Sequence, residues 1–209
     1  MNQWDNIYKE HGKFVVNPQE GMADIAEIFK KSDVKKVLDL GCGSGRHLVY
    51  LAELGFQVYG IDVAETGMRI ANDWLTGKDL HADLRSGSIY ETLPYKDNFF
   101  DAVISIRVIH HGKIEDIRKA IKEIERVLKP RGLVFVTVRK RIAKKRRLKF
   151  VELDSRTYIP AEGEEKGLVH YLFNKELLRK EFRNFRILNL LVDTDNYYCL
   201  LGELTFGKE

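Results

Sequence analysis

Cysteine is scarce. The two in 209 residues, Cys42 and Cys199, have neither the number nor the spacing of a disulfide framework or a cysteine-based zinc site, which fits a reducing compartment. Long apolar runs are missing as well. No stretch approaches the roughly 20 residues that cross a bilayer, and no basic start followed by an apolar segment opens the chain. A cytoplasmic protein with no membrane partner is the expectation. Internal repeats and low-complexity tracts are absent. His11, His47 and His81 lack metal-ligand spacing to one another or to the cysteines, and no metal site is expected.

Net charge is also low, at +4, and by itself demands no polyanionic partner. Its distribution is uneven. Residues 139–149, RKRIAKKRRLK, hold eight basic and no acidic side chains in eleven positions, which leaves the remainder of the chain at −4. With 44% hydrophobic and 32% charged residues the composition excludes a disordered chain. The length suits one domain, 1–209.

Strand-like runs at Lys36–Leu40, Gln57–Ile61, Ala102–Ile106 and Gly132–Val138 alternate with helical patterns at Arg46–Leu54, Ala64–Leu75 and Ile114–Leu128. That alternation predicts an α/β fold, a parallel sheet with helices on both faces. An amphipathic helix over Pro18–Lys31 precedes it. Residues 140–172 carry few apolar repeats and hold Pro160, Gly163 and Gly167, the pattern of an inserted basic or lid segment. Asn174 then caps a short helix to Phe182. Phe185–Val192 and Tyr197–Phe206 flank the turn Asp193–Asn196 as a closing antiparallel hairpin.

The chemistry-bearing stretch is Val37–Arg46, VLDLGCGSGR, a buried strand running through alternating glycines into a helix. Glycines remove Cβ atoms where a ligand meets backbone, and the helix start presents free N–H groups. Asp62 closes the second strand twenty-one residues past Gly41, where an acid grips a ribose diol. Nicotinamide and S-adenosylmethionine enzymes share that acid. The spacing here is G-x-G-x-G rather than G-x-G-x-x-G, and Asp39 would repel a pyrophosphate while attracting an ammonium and a sulfonium.

These segments, with LPYKDNFFDAVIS and EIERVLKPRGLVFVTV, resemble the class I S-adenosylmethionine-dependent methyltransferases, a likeness running from about Lys35 to Arg139. The resemblance implies a Rossmann-like, seven-stranded, mostly parallel sheet with an antiparallel last strand, and S-adenosylmethionine as cofactor. Carried over residue by residue, it gives Asp39, Gly41, Gly43 and Gly45 to the methionine part of the cofactor and Asp62 to the ribose hydroxyls, with Val63 also in the cofactor site. Ser88 and Ile89 would flank adenine and Ile106 would lie under the sulfonium. The family usually has an acid where Gly87-Ser88 stand; Asp83 is either its substitute or a strand-edge acid. Trp4-Asp5-xx-Tyr8-Lys9 resembles the family's lid segment, in which Tyr8 contacts the methionine moiety; packing of an amphipathic helix through Trp4 and Tyr8 is the alternative.

His110 and His111 follow the fourth strand, where open α/β sheets place their crevice, and are candidate general bases or packing residues beneath the lid. Arg107 could orient an anionic acceptor. His170 and Tyr171 return toward the same crevice, for acceptor contact or for packing. Three function classes stand: methyl transfer to a small molecule, the basic run being a solvated face; methylation of a tRNA of the wobble-uridine carboxymethyl type, bound through residues 139–149; and a cofactor-binding module without turnover, against which the intact glycines and both acids argue.

Overall fold

The computed structural model describes residues 3–13, 15–140 and 149–205. Helices α1 (Gln3–His11) and α2 (Met22–Lys31) lead into β1 (Lys36–Leu40), α3 (Arg46–Glu53), β2 (Gln57–Asp62), α4 (Glu65–Thr76) and β3 (Ala82–Ser86). Next come β4 (Phe100–Ile106), α5 (Ile114–Val127), β5 (Leu128–Arg139), β6 (Phe150–Glu152), β7 (Thr157–Pro160) and β8 (His170–Tyr171). The described chain closes with α6 (Lys175–Glu181), β9 (Phe185–Val192) and β10 (Tyr197–Leu204).

Seven strands form one sheet in the order β3-β2-β1-β4-β5-β10-β9. Pairing is parallel from β3 to β5, and β10 runs antiparallel to both β5 and β9. Alternate side chains of a strand project to opposite faces, so each central strand feeds two cores. Leu38, Leu40, Val103, Val134 and Val136 pack with Ile117, Ile121 and Ile124 of α5 and Leu178 of α6. On the other face, Val37, Ala102, Ile104 and Phe135 pack with Met22 and Phe29 of α2, Leu48 and Leu51 of α3 and Leu75 of α4. Burial on both sides explains why these strands read as continuous apolar runs.

The second helix begins at Met22 rather than Pro18, behind Gly21 at φ 76°, and Gln19 just before it is drawn into a buried polar network with His47 and Asp193. Strand β5 starts four residues before the expected Gly132. Leu128 already pairs with Phe100, and the Lys-Pro-Arg-Gly turn is absorbed as a bulge with Arg131 at φ 65°. Within 140–172 the described residues include three short strands, β6, β7 and β8, that form a small antiparallel sheet. Of the basic run, residues 141–148 lie outside the described residues. No described helix is long and apolar enough to cross a membrane.

Candidate active site

Strand β1 delivers Asp39 to a turn in which Gly41, Gly43 and Gly45 have φ of 79°, 52° and 85°, a region that side chains with a Cβ rarely enter. Gly45 also opens α3 against α4: a Cβ there would stand 2.6 Å from that of Ala71. Above Gly43, the Tyr8 hydroxyl occupies the space a Cβ would take. Helix α1 is held in that position by Asp5, whose Oδ1 accepts from Thr66 N at 2.7 Å at the start of α4. That bond and the Lys9 ammonium, the larger influence, bring the Asp5 carboxyl down to about 2.

Asp62 is buried at the end of β2. Its Oδ2 accepts from Gly43 N and its Oδ1 from Ala64 N, both at 2.8 Å. Burial raises its pKa, and these N–H groups oppose the rise. The carboxylate thus ties the second strand to the glycine turn.

A cavity of about 520 Å³ opens beyond the carboxyl ends of β1, β2 and β4. Gly41, Asp62 and Val63 lie on its wall with Ser88 and Ile89 beyond them, and Tyr8, Ile106, Arg107 and His111 line the remainder. Asp39, Gly43, Gly45 and His110 lie behind the wall. Asp83, the other candidate at the adenine end, is outside the cavity and held by Arg85 through two bonds of 2.9 Å.

Asp39 is 1% exposed and neither of its carboxylate oxygens has a hydrogen-bond partner. The nearest cationic candidate is His47 Nδ1 at 3.9 Å, but burial holds His47 far below its ordinary pKa and so neutral. Desolvation lifts Asp39 itself to about 7, against the pull of Arg46 and reinforced by Asp62. A buried acid of this kind lacks a cation.

Arg107, in the left-handed region at φ 61°, is already engaged on several sides. Its backbone N–H donates to Thr137 Oγ1 at 2.8 Å, its Nε donates to Gln19 Oε1 at 3.2 Å, and its guanidinium bonds Asp195 and stacks 4.5 Å from the Tyr197 ring centroid. Gln19 in turn donates from Nε2 to Asp193 Oδ2 at 2.7 Å, while its backbone N–H donates to His47 Nε2 at 3.1 Å. This network joins the segment before α2 to α3 and to the β9–β10 turn.

His110 and His111 have ring centroids 4.2 Å apart. His111 packs edge-on against Trp4 at 4.8 Å. His170 arrives from β8, because Tyr171 N donates to His110 O at 2.8 Å, and its ring lies 4.6 Å from that of His111. One ring nitrogen from each of the three histidines lies within 4.8 Å of the others. Spacing along the chain could not reveal this cluster, since its third member is fifty-nine residues away from His111. Burial, then the Arg139 guanidinium, keeps His111 down to about 3. His170 is lowered to about 2 by burial, His111 and Arg139.

The methyltransferase-domain family matches residues 38–136, just under half of the chain and the stretch that holds the glycine turn and Asp62. The chain has the fold of the class I S-adenosylmethionine-dependent methyltransferases. Among similar proteins, a ubiquinone biosynthesis O-methyltransferase of Bartonella quintana is 35% identical over 102 residues, 49% of this chain and 40% of that protein. A tRNA (carboxymethyluridine(34)-5-O)-methyltransferase of Arabidopsis thaliana is 40% identical over 104 residues, 49% of this chain and 23% of that protein. The chain therefore spans less than half the length of these relatives. An S-adenosylmethionine-dependent methyltransferase of Clostridium acetobutylicum has the same fold over 98% of this chain and 100% of its own, with a TM-score of 0.74 at 14% identity.

Several wall residues had no signal in the sequence. Glu164 and Glu165 come from the connection between β7 and β8, and Tyr197 from the last strand. Their contribution depends on how distant segments fold back.

Proposed function

We propose that the protein moves a methyl group from S-adenosylmethionine to a small-molecule acceptor by in-line displacement. The observation that carries this reading is the buried, unpartnered Asp39 behind a glycine turn, with Asp62 on the cavity wall. Two acids and backbone without Cβ atoms fit a cationic, ribose-bearing ligand and disfavour a dinucleotide. When bound, the cofactor supplies an electrophilic methyl group on a sulfonium. Asp62 would accept from the ribose hydroxyls, Ser88 and Ile89 would sandwich adenine with Val63 beside them, and Ile106 would face the sulfonium. Gly41, Gly43 and Gly45 would admit the methionine part, with Tyr8 covering it and Asp39 supplying negative charge from behind.

No nucleophile is asked of the chain itself. Its contribution is alignment of acceptor and methyl in a water-poor cavity. His111 lies on the wall facing the acceptor, but burial holds it down to about 3, too weak a base to take an acceptor proton near neutral pH; His110 supports it from behind, and Arg107 presents positive charge to the acceptor. In this reading residues 1–209 act as one methyltransferase domain with 140–172 as its inserted basic or lid segment. Gln3 at the tip of α1 donates to Glu164 O at 3.3 Å, a contact in keeping with that role. We place the protein in the cytoplasm, a proposal supported by two free, buried cysteines.

A second reading, methylation of a tRNA carboxymethyl group, is supported by the Arabidopsis relative and by the basic run at 139–149. A carboxylate acceptor would need no base, leaving His111 as a packing group. Calorimetry separates the cofactor classes. Micromolar binding of S-adenosylmethionine with no binding of NAD is expected, and preference for NAD would overturn the proposal. Methyl transfer to tRNA but to no small molecule would favour the second reading.

A further inference from the structure

We propose that His110, His111 and His170 form a binding site for a divalent first-row transition metal, whose open coordination position faces the cavity and takes an oxygen, nitrogen or sulfur donor from the molecule bound there. The geometry is close to that of a ligand set. One nitrogen from each ring lies within 4.8 Å of the others. A tetrahedral zinc ion with bonds of about 2.0–2.1 Å would need them about 3.4 Å apart, so the rings must draw together on binding.

Burial gives the second argument. His110 and His170 are 0% exposed, and neither ring nitrogen of either has a hydrogen-bond partner, nor does Nδ1 of His111. Native interiors satisfy buried polar atoms almost without exception. Five imidazole nitrogens are left unpartnered, one from each ring lies near the other two, and neutral imidazoles are metal ligands as they stand.

The surroundings supply the third. Ligating histidines usually give their other ring nitrogen to a carboxylate or a backbone carbonyl. Glu165 Oε2 stands 3.4 Å from His170 Nε2, and the ring of His111 reaches the backbone carbonyls of Arg107 and Val169. The opposing charge is Arg139, which donates to the Tyr158 hydroxyl at 2.7 Å and lies 3.7 Å from Glu165, so a carboxylate already offsets it. An all-imidazole set selects zinc, cobalt, nickel or copper over magnesium or calcium, which want oxygen. Of the three histidines only His111 lines the cavity, and Glu165 lines it too. Three protein ligands with a side open to a cavity is the arrangement of a site that handles substrate rather than a closed structural site. The metal site stands independently of methyl transfer; only the identity of its fourth ligand as the methyl acceptor rests on that reading.

The test uses the whole protein, stripped with a chelator and without S-adenosylmethionine, titrated with Co²⁺ and then Zn²⁺. One Co²⁺ per chain with visible d–d absorption of a four-coordinate site, displaced by one Zn²⁺, is expected. His111→Gln and His170→Gln should each weaken binding by about 100-fold or more, and Glu165→Gln by about 10-fold, at unchanged circular dichroism. Should either histidine variant fail to fold, imidazole resonances of the wild-type protein decide: Zn²⁺ should shift His110, His111 and His170 and leave His11, His47 and His81 in place. No cobalt spectrum from folded wild-type protein, metal affinity untouched by folded variants, or shifts confined to the other three histidines would each overturn the site. Failure of S-adenosylmethionine to bind would leave these metal results unchanged, so the two proposals fall separately.

Discussion

Replacing Asp39 by Asn should stabilise the unliganded protein by an amount that depends on pH in a calculable way. Burial moves this carboxyl from 3.8 to about 7, roughly three pH units, which costs the folded state about 4 kcal/mol once the group is ionised, at about 1.4 kcal/mol per pH unit. The folded protein holds this proton more tightly than the unfolded chain does. The penalty is therefore absent below about pH 3.8, grows as pH rises, and is complete above about pH 7. Asparagine has the same shape and no charge. It still buries an unpartnered amide, but that cost is the same at every pH and cancels in a comparison across pH. Urea denaturation of both proteins at about pH 5 and about pH 7.5 isolates the term. The gain from Asp39→Asn should be larger at the higher pH by about 2–3 kcal/mol, and the variant should bind S-adenosylmethionine about tenfold more weakly, about 1.4 kcal/mol. Parallel stability curves for the two proteins would show that Asp39 is satisfied in solution by a partner, and the reasoning that makes it a cation-seeking group would fail.

Asp62→Ala should abolish detectable S-adenosylmethionine binding by calorimetry while circular dichroism shows a folded protein; unchanged affinity would remove the ribose assignment. Replacing the basic residues from Arg141 to Lys149 with Gln should leave small-molecule turnover intact. If tRNA is the partner, the same change should flatten the dependence of binding on salt, by about 0.7–0.9 in log–log slope for each phosphate no longer neutralised. Equal salt slopes for both proteins would exclude RNA binding through this run. Asp5→Ala removes the acceptor that fastens α1 to the start of α4 and should raise the KM for S-adenosylmethionine several-fold with little change in thermal stability. An unchanged KM would mean that α1 packs beside the cavity without covering it.

Legibility in the sequence divides along a physical line. Strands β1, β2, β4 and β5 are legible because burial on both faces writes itself as an apolar run, and α5 because Ile117, Ala120, Ile121, Ile124 and Val127 recur at helical spacing. Strand β3 is not, since Ala82–Ser86 is half-buried toward one side of the sheet and carries Asp83 and Arg85. The sheet of β6, β7 and β8 is equally opaque, being built from short polar segments whose pairing depends on register rather than pattern. In the site, the glycine turn and Asp62 belong to local motifs and can be read directly. Gln19 and Asp193 bond each other across 174 residues of sequence, and no local pattern announces such a pair. The position of His170 before α6 places it near the crevice, but its union with His110 and His111 arises only when β8 bonds the His110 carbonyl.

The distribution of unsatisfied atoms argues that the cavity is a working site and not a packing defect. Among the described residues, eight buried side-chain nitrogen or oxygen atoms lack a hydrogen-bond partner. Seven belong to Asp39, His110, His111 and His170, and the eighth is the Tyr95 hydroxyl. A poorly packed chain would scatter such atoms through both cores; here Asp39 lies behind the glycine turn and the three histidines cluster around His111, the one of these four residues that lines the cavity. Leaving them unpaired costs the empty protein stability, since each buried polar group without a partner forfeits about 1–3 kcal/mol. A cation near Asp39 and a metal among the histidines would recover that cost on binding. The two ligands should consequently raise the melting temperature by separate increments that add when both are present. Saturating S-adenosylmethionine that abolished the zinc increment would mean that the two groups of atoms serve one ligand, and that the histidines complete the cofactor pocket.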